Sequence, residues 1–203
     1  MNSDSQKSTI FAEIIKSSLY QWQGCCWEWD AAPAFGSLVT IETSEKILFG
    51  IVFQVETGSK DPARIAYAYK KSHAELKRDQ PQIFEFLQTT FLCLPLGYKD
   101  KKNCSSIYQI PPEPPSIHAF IASATEEVMA EFFGNSSYLY VLFGLSSSIA
   151  YLDELLLALL KRQADSGLLS EEKILYFIQT FSVLTGNNYQ RLKLFLQRLN
   201  FKE

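Results

Sequence analysis

Histidine and cysteine are scarce in this 203-residue chain, with two and four copies respectively. A histidine-based metal centre needs ligands converging at helical or loop spacing, and neither His73 nor His118 has a second ligand at i+3 or i+4 on an apolar face. His118, beside Ile117 and Phe120, reads as a hydrogen-bonded structural residue near a helix start, and His73 reads as solvated in a charged loop. Cys25, Cys26, Cys93 and Cys104 show no C-x2-C spacing, and their density is too low for a secreted disulfide scaffold. The expectation is reduced, mostly buried thiols in a cytoplasmic protein, with no metal and no other cofactor.

Nucleotide motifs are also missing. Gly58-Ser59-Lys60 lacks the earlier glycine of a phosphate loop, and no G-x-G-x-x-G occurs. Gly144-Leu145-Ser146-Ser147-Ser148 lacks the closing glycine of a nucleophile elbow. Glu126-Glu127, Asp153-Glu154 and Glu171-Glu172 are sequence neighbours on expected helices, where adjacent side chains diverge by about 100°. Such pairs suit the positive ends of helix dipoles better than a catalytic cleft.

A long hydrophobic run is absent too. The charge-free stretch Phe132–Leu152 is interrupted by Gly134-Asn135-Ser136-Ser137 and by Ser146-Ser147-Ser148, whereas a span needs about 20 mostly apolar residues. Two buried helices meeting at a turn are expected there, and no membrane span. Residues 1–16 are polar and lack the basic-then-apolar order of a signal peptide. The formal net charge is −3, with 12 basic and 12 acidic side chains in residues 1–110 but 7 and 10 in residues 111–203. This balance opposes general attraction to nucleic acid or anionic membrane.

Aromatic side chains, in contrast, are abundant: fifteen Phe, ten Tyr and three Trp. With 47% hydrophobic residues the chain can bury a core without metals or disulfides, since each large apolar side chain contributes about 1.5–3 kcal/mol. The spacing of Ile10, Phe11, Ile14, Ile15 and Leu19, with Ser8 or Thr9 as cap, predicts an N-terminal amphipathic helix. Trp27 and Trp29 would then share one face of a strand, either as a ligand platform or, the favoured reading, as part of a core.

From Gly36 onward strands are expected at Ser37–Glu42, Lys46–Val55, Ile65–Tyr69, Phe91–Tyr98 and Ile107–Ile110. Gly50 marks a bulge or bend in the second of these, Pro95 places the fourth at an edge or bulge, and Pro81 opens a short helix. Pro111-Pro112-Glu113-Pro114-Pro115 reads as a stiff spacer, with a ligand for a proline-recognition domain as the alternative. Helices are predicted over Ser116–Phe133, Tyr138–Leu145, Ser148–Gly167, from Ser170 to about Gly186, and over Tyr189–Phe201. The fold class is therefore α+β: a small β-barrel with an N-terminal helix, followed by a C-terminal helical bundle.

The main charge feature is the stretch from Lys60 to Arg78, with Lys60, Arg64, Lys70, Lys71, Lys77 and Arg78 set against Asp61, Glu75 and Asp79. Tyr67 and Tyr69 are interleaved with these cations. Phosphate contacts and base stacking would let it grip single-stranded nucleic acid. The favoured alternative is a solvated hairpin whose lysines guard a sheet edge.

Gly50-Ile51-Val52, the stretch Pro81-Gln82-Ile83-Phe84-Glu85-Phe86-Leu87-Gln88-Thr89-Thr90-Phe91 and the closing Leu96-Gly97-Tyr98 resemble the HAS-barrel family of HerA-type helicases and rotary ATP synthase subunits. The likeness covers residues 36–110. It implies a barrel that organises subunits around a ring, while a separate P-loop domain, which has no counterpart here, carries the ATP chemistry. Four segments follow: an N-terminal helix and aromatic strand (1–35), a HAS-like barrel (36–110), a Pro-rich spacer (111–115) and a helical domain (116–203). The functional expectation is a non-catalytic assembly or adaptor protein that contacts other protein subunits, a ring ATPase among the candidates. The alternatives are a nucleic-acid-associated accessory protein, and an enzyme whose site the sequence does not display.

Overall fold

Val, Ile, Leu and Phe crowd Lys46–Val55 and Phe91–Tyr98 with almost no alternation, the pattern of strands buried on both faces. The computed structural model, which describes residues 8–61, 63, 68–102 and 105–199, builds its sheet around these two segments. They form β4 (Lys46–Ser59) and β5 (Leu87–Asp100), paired antiparallel from Lys46 opposite Asp100 to Ser59 opposite Leu87. β3 (Leu38–Glu42) flanks β4, and β7 (Phe120–Ser123) lies between β3 and β1 (Ile10–Ser17). β1 turns back into β2 (Trp22–Cys26), which pairs with β5 through Trp22 opposite Cys93. The ring β2-β1-β7-β3-β4-β5 is thereby closed, and β6 (Ser106–Ile107) is a short addition on β5. Closure satisfies backbone groups that an open sheet would leave at its edges.

Two cores use opposite faces of the same strands. Ala12, Ile14, Trp22, Val39, Leu48, Val52, Phe91, Cys93 and Ile121 pack together inside the barrel. Phe49, Ile51, Leu94 and Leu96 join the helical side chains instead. Gly50 stands where the β4–β5 register shifts, as its place in the apolar run suggests. A Cβ there would lie 2.8 Å from Cζ3 of Trp22 and 3.3 Å from Cβ of Cys93. The missing side chain makes room for the indole.

The N-terminal helix predicted over Ile10–Leu19 is instead strand β1. Residues spaced by four lie on one face of a strand as well as of a helix, so the pattern was ambiguous. Ala12 and Ile14 face the core at strand spacing, and pairing with both β2 and β7 decides the outcome. A second correction concerns Ser116–Phe133. Only Glu126–Phe132 is helical, as α3, while Phe120–Ser123 is β7 and completes the barrel. The barrel thus takes strands from residues 1–35 and from beyond residue 115 as well as from 36–110. The proline segment links β6 to β7, with Pro111 and Pro115 buried and Pro112 to Pro114 exposed. Prolines three apart share a face of a polyproline helix, so this burial leaves no exposed PxxP ridge.

The remaining helices are α1 (His73–Asp79), α2 (Gln82–Glu85), α4 (Tyr138–Gly144), α5 (Leu152–Asp165), α6 (Glu171–Leu184) and α7 (Tyr189–Arg198). α5 begins at Leu152 rather than Ser148, because Ser146–Ser148 winds into a 3-10 turn. Its expected end holds: Gly167 takes φ +66°, and Leu168 donates to the carbonyl of Gln163. Ser170 caps α6 by accepting from the Lys173 amide, with Glu171 and Glu172 in the first turn as the dipole favours. Phe177, Phe181 and Phe195 stack between α6 and α7, while α4 packs on β5. Among the described residues no helix is long and apolar enough to cross a membrane.

Candidate functional site

Ser72 and Glu75 form a capping box that starts α1, so the last part of the basic stretch, from His73 onward, is a short helix. Glu75 is held below its ordinary pKa by hydrogen bonds from the Ser72 side chain and backbone. Asp79, at the other end, accepts from Arg78 at 2.9 Å and from Lys71 at 3.0 Å. These contacts, Arg78 foremost, keep its carboxyl below the ordinary value. Lys77 lies 3.8 Å from Asp30, and the Lys60 ammonium donates to the Glu85 carbonyl at 2.7 Å. Lys70 sits at φ +56° in the turn before the helix, and Tyr69 is half-buried. Arg64 and Tyr67 lie outside the described residues, as does most of the strand expected over Ile65–Tyr69. The structure brings Lys71, Lys77 and Arg78 onto carboxylates of the same chain, which lowers the charge available to phosphates.

The tryptophans are arranged differently from the sequence expectation. Trp22 is the buried one, at 1% exposure. Trp29 stacks on Phe84 with ring centroids 5.4 Å apart, and His73 closes the group edge-on to Phe84 at 5.0 Å. His73 is exposed, as expected, and also touches both rings. Trp27, expected to share a core face with Trp29, is 52% exposed and meets Phe120, 54% exposed, edge-on at 5.6 Å. Ile15 and Ile117 are exposed on the same pair of strand segments, joined by backbone bonds between Ile14 and residues 118 and 119. His118 takes φ +67° in the turn before β7, with Nδ1 3.5 Å from the Glu13 carboxylate. The result is an apolar outer strip along β1 and the segment leading into β7, joined by Trp27 from the end of β2, with Glu13 and His118 beside it. Ile15 and Phe120 fall at helical spacing in the sequence, and only strand pairing brings residues 13 to 15 beside 117 to 120.

The other candidate chemistries find structural uses. Asp153 receives Arg191 through Nη2 at 2.6 Å and Nε at 3.2 Å, and Glu154 receives Arg198 at 2.6 Å, tying α5 to α7. Glu126 and Glu127 sit in the first turn of α3. Cys25, Cys26 and Cys93 are free thiols, and Cys104 lies outside the described residues. Burial raises the Cys26 thiol to about 11 and raises Cys93 further, so neither is a ready thiolate. No cluster of His, Cys, Asp or Glu suited to a metal occurs among the described residues.

No family model matches the chain, and a search of curated proteins finds no relative.

Proposed function

We propose that this protein is a non-catalytic assembly or adaptor protein whose barrel contacts other protein subunits. The observation that carries this reading is the exposed strip of Trp27, Phe120, Ile15 and Ile117 on a closed sheet. Aromatic side chains left in water on a rigid surface are the usual anchors of protein interfaces. The HAS-barrel resemblance adds a class of partner. In that family the barrel is a collar that organises subunits of a ring, which makes a ring ATPase the favoured partner.

Affinity capture from the native cell, read by mass spectrometry, tests the proposal. The unaltered chain should recover protein subunits, and Trp27→Asp with Phe120→Asp should lose them while keeping its circular dichroism. Undiminished capture by that folded variant would overturn the assignment of the strip. The nucleic-acid accessory reading gains little from the paired charges of Lys71, Lys77 and Arg78. It would replace the adaptor reading if a sub-micromolar complex with single strands formed at physiological salt and depended on Lys70 and Lys71.

A further inference from the structure

Beyond the outer strip, a cleft of about 260 Å³ opens where the loop entering β3 meets α3 and α5. Its walls are apolar, formed by Leu38, Met129, Phe133 and Leu159. Its polar side chains are few: Arg162 and Gln163 from α5, with Ser37 and Ser123 at the sheet end. Gly36, at φ +78°, seats the loop against α5 so closely that a Cβ would stand 2.9 Å from Ala158 Cβ. The loop is held there by Arg162, whose Nε donates to the Phe35 carbonyl at 3.2 Å.

Two features point to an occupant. No Asp or Glu lines the cleft, and no carboxylate is within ion-pair distance of Arg162 among the described residues. With Nε engaged, the terminal guanidinium nitrogens keep donors in a fork that matches a carboxylate. Gln163, only 4% exposed, forms the inner end of the cleft lining. Its side chain lies against the Tyr138 hydroxyl, which is buried and does not line the cleft.

We propose that this cleft binds a small organic monocarboxylate: the carboxylate meets the Arg162 guanidinium, with Gln163 beside it, and the apolar body lies along Leu38, Met129, Phe133 and Leu159. One guanidinium balances one negative charge, and the apolar walls favour an acid with a hydrocarbon body over inorganic phosphate. The inference is independent of the adaptor reading, since the outer strip of β1 and β7 takes no part in it.

Titration of the full-length isotope-labelled chain with butanoate, hexanoate and octanoate, followed by NMR, tests the assignment. The expected result is saturable shifts at Ser37, Ser123 and the Arg162 Nε–H, with a dissociation constant of about 1 mM or tighter. Hexanol, hexanamide and phosphate should bind at least about tenfold more weakly, since each lacks either the charge or the apolar body. Arg162→Gln should weaken hexanoate by a similar factor. Ala34→Phe, which occupies the exposed mouth of the cleft and leaves both cores untouched, gives a second readout if the arginine variant does not fold. A C-terminal carboxylate of a short peptide serves as a further arm, and binding there in preference to hexanoate would reject the small-acid assignment. Absence of saturation with every acid, or hexanoate affinity unchanged in both variants, would overturn the proposal.

Discussion

Inside the barrel, Trp22, Phe91 and Ile121 fill a space bounded by six strands, while on the outer face of β4 and β5 the residues Phe49, Ile51, Leu94 and Leu96 meet Phe132, Leu139 and Leu155. The interior set joins residues over a hundred positions apart and depends on fitting one large indole beside Gly50. The helix-covered set is assembled from local amphipathic stripes, whose members recur every three or four residues within α5, α6 and α7. The first core is therefore governed by shape, and the second by area. Because β4 and β5 belong to both, the two are expected to unfold as one unit.

The largest effects should come from emptying either core. Trp22→Ala inside the barrel and Phe181→Ala among the stacked helix rings each remove a fully buried aromatic side chain. Each should lower unfolding free energy by about 3–5 kcal/mol. Urea unfolding followed by far-ultraviolet dichroism and by tryptophan fluorescence should give coincident transitions in both variants. Two separated transitions would show that the shared strands do not couple the cores.

Shape dependence is sharpened by adding a single atom. Gly50→Ala places a methyl 2.8 Å from the Trp22 ring and should cost about 1–3 kcal/mol by overpacking. In a Trp22→Leu background the same substitution should cost less, and a double-mutant cycle measures the difference. Equal costs in the two backgrounds would show that the indole is not what confines Gly50. No comparable penalty is expected at Gly58, around which a Cβ would find open space.

A smaller contrast lies in the thiols. Burial raises the folded pKa of Cys26 above its ordinary 9.0 to about 11, so the folded state holds this proton more tightly than the unfolded chain. Its contribution to stability is complete below pH 9.0 and lost as pH rises toward about 11. Cys26→Ala should flatten the decline of stability across that interval, as read from urea midpoints at stepped pH. A slope identical to that of the unaltered chain would refute the assignment.

Least affected should be the basic helix. Lys70→Glu changes an exposed turn residue and should shift stability by about 0.5 kcal/mol or less. Lys71→Glu loses an exposed ion pair with Asp79 and should cost at most about 1 kcal/mol. A larger loss in either would mean that the stretch supports the barrel rather than decorating it.

Local pattern alone determined several features. The α+β class, the strands of β3, β4 and β5, the irregularity at Gly50, the Ser170 cap and the Gly167 stop were all legible, since propensity, caps and backbone freedom act within a few residues. The same local signals named the basic stretch and the acid Asp79 that pairs with Lys71 and Arg78, but not the pairing of Lys77, because Asp30 reaches it only after the chain folds back. Tertiary structure alone decided that Ile10–Ser17 is a strand, that Phe120–Ser123 completes the barrel, and that Trp22 rather than Trp27 is buried. Those outcomes rest on pairing between residues far apart in sequence. Strand spacing and helix spacing overlap in short apolar segments, and only the partner strand breaks the tie.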